Sequence, residues 1–252
     1  MASVFKKWFK SKAVTQTYRV PPGDRIYAVG DIHGRLDLFE QLVLEIEADD
    51  AFRGGANTTI ILLGDLIDRG PASSGVVDTA IKLGARRSVR TICGNHEEML
   101  LKSVEDVKYL RAYLNHGGRE TVLSYLDKYI DYNSLNFDEL FEKLRSAIPM
   151  YHLNFFRALE DKVIIGDYLF VHAGVRPGID IGDQVLADLR WIREPFLSVD
   201  QSCGYCVVHG HTISDEPEVR PGRIGIDTGA YQSGKLTALG LEGAERWFLS
   251  TH

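Results

Sequence analysis

RIYAVGDIHG, residues 25–34, joins an apolar run to a short polar cluster that lies between two glycines. The apolar run is typical of a buried strand, and Asp31 and His33 follow where that strand ends. Because they are two residues apart in an extended segment, their side chains point to the same side and can hold one divalent ion. The stretch therefore predicts a strand that carries metal ligands at its carboxyl end.

The same arrangement recurs through the first part of the chain. Strand-like runs cover 25–30, 57–64 and 88–94, and helical patterns cover about 36–49 and 73–84 between them. Alternating strands and helices are typical of a parallel sheet with crossover helices. Each strand run ends in a glycine followed by polar residues, and ligands of such folds bind beyond the carboxyl ends of the strands. We therefore expect the polar clusters to meet at one edge of the sheet.

The pattern changes in the rest of the chain. Residues 97–158 are mostly helical in pattern and rich in aromatics, which at helical spacing are expected to be core. KVIIGDYLFVHAG (162–174) predicts a hairpin with its turn at Gly166 and Asp167. Strand-like runs with turn glycines fill the last third. This antiparallel region is expected to form a second sheet packed on the first.

Composition limits the class of protein. With 252 residues, 44% of them hydrophobic, the chain can bury a full core as one catalytic domain, expected over 23–252. The formal net charge of -6 argues against a nucleic-acid partner, because there is no overall cationic surface for phosphate contacts. Three cysteines, an odd number, suit a reducing cytoplasmic compartment better than a disulfide framework.

The first 22 residues are expected to be a basic tail. MASVFKKWFKSKAV (1–14) alternates aromatic residues with lysines and lacks the apolar region of a signal peptide. A helix lying on a membrane surface is one interpretation of this segment, but a solvated tail is favoured. No stretch of the sequence reaches about 18 apolar residues, so no transmembrane segment is predicted.

Four further motifs each follow an apolar strand run: GDLIDRG (64–70), GNHE (94–97), HAG (172–174) and HGHT (209–212). Together with GDIHG they contain five of the eight histidines, a concentration that separate structural roles do not explain. Carboxylate, imidazole and amide groups without a thiolate suit Mn²⁺, Fe²⁺ or Zn²⁺. Asp65 can bridge two ions through its two oxygens. Two ions about 3.5–4 Å apart would acidify a water and hold the oxygens of a phosphoryl group.

In this order the five motifs resemble those of the metallophosphoesterases, specifically the phosphoprotein phosphatase branch and most closely its bacterial and phage Ser/Thr phosphatases. The resemblance spans roughly residues 25–240, and WIREPF (191–196) and IDTGAYQSGKLTAL (226–239) also resemble stretches of the bacterial group. It implies an α/β fold (α+β by some schemes), a β-sandwich of two mixed sheets flanked by helices. It also implies two divalent ions, for which we expect Mn²⁺ to serve best, with Fe or Zn as the other choices.

The resemblance implies roles for residues of this chain. The first metal would be held by Asp31, His33 and Asp65, and the second by Asp65, Asn95, His172 and His211. His96 would protonate the leaving oxygen, with Asp68 orienting it. Arg69 and Arg193 would clamp the phosphate, since a guanidinium binds phosphate oxygens bidentately, and Tyr231 would lie near the substrate. His209 would share the strand side of His211, and a supporting place behind the ligands is favoured for it over direct ligation.

The activity expected from the sequence is that of a metal-dependent phosphomonoesterase in which an activated water attacks the phosphate directly. Its substrate would be a phosphorylated protein or peptide, carrying phosphoserine, phosphothreonine or also phosphotyrosine. The alternative is a symmetrical diadenosine tetraphosphatase, whose group typically has alanine in place of Asp68 and aspartate in place of Glu97. A third interpretation, a non-catalytic metal-dependent binding module, is disfavoured because no ligand is missing. The helical segment 97–158 is expected to shape substrate choice.

Overall fold

The computed structural model describes residues 17–199 and 203–251, which contain two five-stranded sheets. The strands are β1 Asp24–Val29, β2 Asn57–Leu62, β3 Ser88–Thr91, β4 Val163–Ile165, β5 Tyr168–Phe170, β6 Cys206–His209, β7 Glu218–Arg220, β8 Arg223–Gly225, β9 Thr237–Glu242 and β10 Glu245–Ser250. The first sheet has the order β10-β9-β1-β2-β3 and the second β4-β5-β6-β8-β7. Both sheets mix parallel and antiparallel neighbours, so the expected sandwich of two mixed sheets is confirmed.

Helices flank the sandwich. They are α1 Leu36–Arg53, α2 Ser73–Arg86, α3 Asn95–Glu105, α4 Val107–Tyr113, α5 Arg119–Tyr125, α6 Phe137–Ala147, α7 Met150–Arg157, α8 Leu186–Trp191 and α9 Ala230–Ser233. A kinked turn, Leu114–Gly118, joins α4 to α5, with non-helical backbone at His116 and Gly117. The crossover helices α1 and α2 and the parallel order of β1, β2 and β3 agree with the strand–helix alternation of the sequence.

Strand β1 shows why its sequence is apolar at nearly every position. Tyr27 and Val29 pack into the core between the first sheet and the helices. Ile26 and Ala28 pack into the core between the two sheets. All four are at most 1% exposed, and burying a large apolar side chain stabilises a fold by roughly 1.5–3 kcal/mol. A strand covered on both faces therefore lacks the polar alternation of a surface strand.

The last hairpin lies in a different sheet from the one expected. The hairpin of β4 and β5 turns at Gly166 and Asp167 as predicted. Strands β9 and β10 instead return to the first sheet, where β9 pairs antiparallel with β1. Ala238 of β9 joins the helix-side core and Leu239 joins the core between the sheets. Because β9 is apolar on both faces, it occupies an inner position of the first sheet.

The tail boundary expected at residue 22 is wrong for the residues just before it. Tyr18 and Val20 are each 2% exposed and pack in the core between the sheets. The Val20 amide donates to the Gly243 carbonyl at 2.9 Å. The domain therefore includes residues 17–22. The amphipathic segment 1–14 lies outside the described residues, and among those described no helix is long and apolar enough to cross a membrane.

The segment after β3 is helical as predicted, from α3 to α7, but its aromatics are only partly core. Tyr113 and Phe156 are 1% exposed, whereas Tyr109 is 42% and Tyr129 84% exposed. Within the segment α5 and α7 pack against α2, whereas Tyr109 and Tyr129 lie on surfaces that face solvent.

Candidate active site

The ligand-bearing motifs converge at one edge of the sandwich. Asp31 follows β1, Asp65 follows β2, Asn95 follows β3, His172 follows β5 and His211 follows β6. The first three strands are mutually parallel, as are β5 and β6, so their carboxyl ends open together. All five of these residues are buried. The meeting of strand ends inferred from the sequence therefore holds across both sheets.

The backbone of the site is strained. The non-glycine residues with a left-handed backbone among those described all lie in these motifs: His33, Asp65, Asp68, Arg69 and His211. Such conformations cost about 1–3 kcal/mol each and persist only where the surroundings over-determine them. Two glycines let the backbone approach carboxylates closely. A Cβ at Gly94 would lie 2.1 Å from Asp65 Oδ1, and one at Gly210 would lie 2.0 Å from Asp31 Oδ1.

One candidate metal cluster contains His33 and Asp65. His33 Nε2 lies 3.6 Å from Asp65 Oδ2. His33 Nδ1 lies 2.8 Å from the Ile67 carbonyl, so Nδ1 carries the proton and Nε2 is left to accept. His96 Nε2 also falls within 4.8 Å of these ligand atoms. Its other nitrogen is paired with the Asp68 carboxylate, a partner that a general acid and a metal-ligating histidine both use.

A second cluster contains Asp65, His172, His211 and Asn95. His172 Nε2 lies 3.4 Å from Asp65 Oδ2 and 2.9 Å from Asn95 Oδ1. The Leu63 carbonyl, 2.9 Å from His172 Nδ1, turns Nε2 toward the cluster. His211 Nε2 is buried and has no hydrogen-bond partner among the described residues. A buried imidazole nitrogen without a partner, close to a carboxylate, fits a divalent cation, so the residues present fit the expected metal.

Asp31 stands outside both clusters. Its carboxylate accepts the backbone N–H of His211 at 3.1 and 3.2 Å. Burial and the charge of Asp227 raise the pKa of Asp31 well above its usual value. Asp227 is itself 2% exposed and follows β8 in the same way as the other motifs follow their strands. Sequence reasoning missed Asp227, although the strand-end rule applied to IDTG would have found it.

The charge states of His33 and His211 suit ligation, whereas His172 would first have to lose a proton. Burial lowers the pKa of His33 and of His211 to about 3, so both imidazoles are neutral. Burial opposes ionisation of Asp65, but the neighbouring charges of His172 and His96 hold its pKa well below the ordinary value. The same interaction outweighs burial at His172 and raises its pKa to about 10. A cation bound beside Asp65 would therefore displace a proton from His172.

His96 and Asp68 form a buried pair. His96 Nδ1 lies 2.6 Å from Asp68 Oδ2, and the residues are 1% and 0% exposed. Burial would lower the pKa of His96, but the charge of Asp65 and the hydrogen bond to Asp68 raise it overall. Nε2 remains on the side of the metal clusters. A protonated imidazole held there has the geometry and charge of a general acid.

Three residues expected to bind substrate surround the clusters. Arg69 Nη1 donates to His33 Nε2 at 2.8 Å, and Nη2 lies 3.1 Å from His96 Nε2. The Arg69 guanidinium also lies 4.8 Å from the ring centre of Tyr231. Arg193 Nη2 donates to the carbonyl of His211 at 3.2 Å. The structure thus places Arg69 and Tyr231 beside the first cluster and Arg193 beside the second, and we call this partly exposed rim the mouth of the site. Its two guanidinium groups can meet an anionic substrate.

His209 is not part of either cluster. Its Nδ1 lies 3.0 Å from the Gly210 carbonyl, and its ring packs edge-to-face on Phe196 with centroids 5.0 Å apart. Burial lowers its pKa to about 4. The side chain therefore lies against the backbone that leads into His211, and the supporting place favoured for it from the sequence stays a prediction.

Glu97 has a structural task. It is fully buried and accepts the backbone N–H groups of Asp65 and Gly94 at 2.9 Å and of Leu66 at 2.8 Å. Burial raises its pKa to about 7. Glu97 ties helix α3 to the loop that carries Asp65 and does not reach the mouth of the site.

Comparisons of the sequence with known proteins agree with this geometry. The sequence model described as calcineurin-like phosphoesterase matches residues 24–231. The chain is 25% identical over 231 residues to the asymmetrical bis(5'-nucleosyl)-tetraphosphatase PrpE of Halalkalibacterium halodurans, covering 84% of this chain and 87% of that protein. For the protein of the same name from Bacillus subtilis the identity is 26% over 231 residues, covering 83% and 87%. The symmetrical bis(5'-nucleosyl)-tetraphosphatase of Acidovorax ebreus is 34% identical over 155 residues, 60% of this chain and 44% of that protein.

Solved structures share the fold. A protein provisionally named a diadenosine tetraphosphatase superposes with a TM-score of 0.66 at 21% identity, covering 93% of this chain and 99% of that one. A protein serine/threonine phosphatase from Saccharomyces cerevisiae superposes with a TM-score of 0.53 at 14% identity, covering 92% and 81%. At these identities the likeness concerns the fold alone.

Proposed function

The chain belongs to the calcineurin-like phosphoesterase family, and within that family we propose that it hydrolyses bis(5'-nucleosyl) tetraphosphates. The observation that carries the proposal is that relatives matched over most of both chains are named for this activity. Phosphoester hydrolysis is the activity of the family as a whole. The sequence favoured a phosphorylated protein as the substrate and kept the dinucleotide as the alternative; the proposal now favours the dinucleotide.

The two clusters, together with Asp31, whose carboxylate accepts the His211 amide beside the second cluster, would hold the divalent ions. The proposed ligands are Asp31, His33, Asp65, Asn95, His172 and His211. Such ions, when bound, polarise phosphoryl oxygens and lower the pKa of water. The chain's own contribution is to orient the ligands. Backbone carbonyls fix the rings of His33 and His172, and Asp65 lies within 3.6 Å of both Nε2 atoms. Mn²⁺ is our proposed ion, because the set mixes imidazoles with oxygen ligands.

A polyphosphate chain suits the charges at the mouth. Arg69 and Arg193 can each hold phosphate oxygens, and two separated guanidinium groups match a substrate that carries several consecutive phosphates. Tyr231 adds an aromatic ring beside Arg69. We propose asymmetric cleavage, to a nucleoside triphosphate and a nucleoside monophosphate, because the relatives matched over most of this chain are named asymmetrical.

A second candidate function is hydrolysis of phosphomonoesters on protein side chains. The pair of His96 and Asp68, joined at 2.6 Å, favours it. A serine or threonine alkoxide is a strongly basic leaving group and needs a proton in the transition state, whereas a departing phosphate chain needs little protonation. Asp68 is therefore more useful to a phosphomonoesterase than to a dinucleotide hydrolase.

Competition kinetics tests the proposal. Diadenosine tetraphosphate and a phosphoserine peptide are mixed in one tube with the Mn²⁺-loaded enzyme, and products are separated by anion-exchange chromatography. We expect kcat/KM for the dinucleotide to be higher by at least about tenfold, or 1.4 kcal/mol, with ATP and AMP as products. Two equivalents of ADP would make the cleavage symmetrical. A preference for the peptide would replace the proposal by the second candidate.

A further inference from the structure

The carboxylate of Asp68 receives more than the imidazole of His96. Tyr113 donates its hydroxyl to Asp68 Oδ1 at 2.6 Å, and Thr121 donates to the same oxygen at 2.5 Å. The other oxygen, Oδ2, faces His96 Nδ1 at 2.6 Å. All four residues are at most 1% exposed, so water does not compete for these hydrogen bonds. The carboxylate is held at both oxygens.

The backbone under Asp68 is held by the same helical segment. Asp68 and Arg69 are left-handed, with φ of 72° and 67°, which is costly for residues with a Cβ. The Asp68 amide donates to Thr121 Oγ1 at 2.9 Å, and the Arg69 amide donates to the Gly117 carbonyl at 3.0 Å. Contacts from α4, the kinked turn Leu114–Gly118 and α5 therefore fix both the strained loop and the rotamer of its aspartate.

We propose that Tyr113 and Thr121 are positioning residues for the acid, a proposal that rests on His96 acting as the proton donor when this site hydrolyses a phosphoester with a basic leaving oxygen. An aspartate with both oxygens engaged cannot rotate away from the imidazole. It keeps the His96 Nδ1 proton on its own side, so Nε2 points at the leaving oxygen. The helical segment, expected from the sequence to shape substrate choice, thus also sets the orientation of the acid.

A purely structural role makes a different kinetic prediction. Loss of a buried hydroxyl that only stabilised the fold would lower the melting temperature and reduce activity equally for every substrate. Loss of a positioning hydroxyl would reduce the rate only where the leaving oxygen must be protonated. Leaving-group dependence therefore separates the two roles.

The experiment uses Tyr113→Phe and Thr121→Val in the full-length, Mn²⁺-loaded enzyme. The substrates are aryl phosphates whose phenols span a range of acidity, so the measurement does not depend on the natural substrate. One charge-assisted hydrogen bond is worth about 1.5 kcal/mol or more, so we expect kcat to fall about tenfold for the least acidic phenol. For the most acidic phenol we expect a change below about twofold.

Tyr125→Phe is the matched control. It removes a hydroxyl from α5 that lies 2.8 Å from His152 Nδ1 and does not touch Asp68. We expect this variant to leave the dependence on the leaving group unchanged. In an Asp68→Asn background, Tyr113→Phe should add less than about twofold, because the group through which it acts has lost its charge.

A uniform loss of rate across the phenols, or a full effect of Tyr113→Phe in the Asp68→Asn background, would overturn the proposal. Thr121→Val provides the answer if Tyr113→Phe does not fold. If His96→Asn lost the same factor in rate for every phenol, the proposal would be overturned too, since there would be no acid to position. Failure of the dinucleotide assignment leaves the aryl phosphate series intact, so the two failures are distinguishable.

Discussion

Replacing His96 by asparagine is the sharpest test of the mechanism. The imidazole is 1% exposed, pairs through Nδ1 with Asp68 at 2.6 Å and presents Nε2 to the metal clusters. General acids contribute roughly 10²–10⁴ in rate, or about 2.7–5.4 kcal/mol. We expect kcat of His96→Asn for an alkyl phosphate to fall by a factor within this range, because asparagine cannot deliver a proton to a basic leaving oxygen.

The loss should depend on the leaving group. For an aryl phosphate with an acidic phenol we expect less than about a tenfold decrease in kcat, since little protonation is needed. We expect an equally small decrease for diadenosine tetraphosphate, because the last pKa of a phosphate leaving group is about 6 and it can leave without a proton. Steady-state kinetics gives the rates, and elemental analysis gives the metal content, which should stay at the wild-type value.

Two results would refute this assignment. Loss of metal from His96→Asn would make His96 a ligand, an arrangement that its distance from Asp65 permits. An equal decrease in rate for acidic and basic leaving groups would show that the imidazole acts on the phosphoryl group and not on the leaving oxygen.

Three further predictions follow from single residues. Chelation should abolish activity, and Mn²⁺ should restore it better than Mg²⁺. Asp65→Asn removes the negative charge that both clusters share, so it should lower the metal content measured by elemental analysis and should lower kcat by at least about 100-fold. Burial opposes ionisation of Asp50, but hydrogen bonds from hydroxyl and guanidinium groups lower its pKa overall. The ionised Asp50 therefore stabilises the folded protein fully above the ordinary carboxyl pKa of about 3.9, and this stabilisation is lost as the pH falls through the lower pKa of the folded state. Asp50→Asn should remove that acid dependence and cost roughly 2–4 kcal/mol in urea unfolding at pH 7, because a buried guanidinium loses a partner. A Cβ at Gly117 would lie 2.7 Å from Arg69 Cγ, so Gly117→Ala should raise KM by about tenfold. Gly54→Ala is the control: the φ of Gly54 is also positive, but its Cβ would face open space, so KM should stay unchanged.

Sequence reasoning located the candidate site because strand ends are local features. An apolar run followed by glycine and a polar cluster is visible within about ten residues, and parallel pairing brings such ends together. Asp31, Asp65 and Asn95 follow consecutive parallel strands of the first sheet, so their meeting could be expected. The expected roles of these residues stay predictions until metal content and rates are measured.

Contacts between distant segments could not be read in the same way. The hydroxyl of Tyr113 reaches Asp68 across 45 positions of sequence, and the amide of Val20 reaches Gly243 across more than 200. A tyrosine in a helical pattern gives no local sign of which polar group it meets, so the sequence predicts only that Tyr113 is core. The place of β9 beside β1 is likewise a matter of pairing that the apolar pattern leaves open.

The structure also changes which residues bear on substrate choice. Glu97 and Asp68 both favoured a protein phosphatase at the level of sequence. Glu97, however, is buried and bonded to backbone amides, so it cannot contact a substrate, and a glutamate there reflects the reach needed to tie α3 to the Asp65 loop. Asp68 still bears on substrate choice, because its carboxylate contacts His96, the proposed acid, directly. A dinucleotide hydrolase that retains Asp68, with hydroxyls holding its carboxylate, keeps the means to expel an alkoxide. We therefore expect a lesser phosphomonoesterase activity beside the dinucleotide activity, and expect Asp68→Asn to reduce the first more than the second.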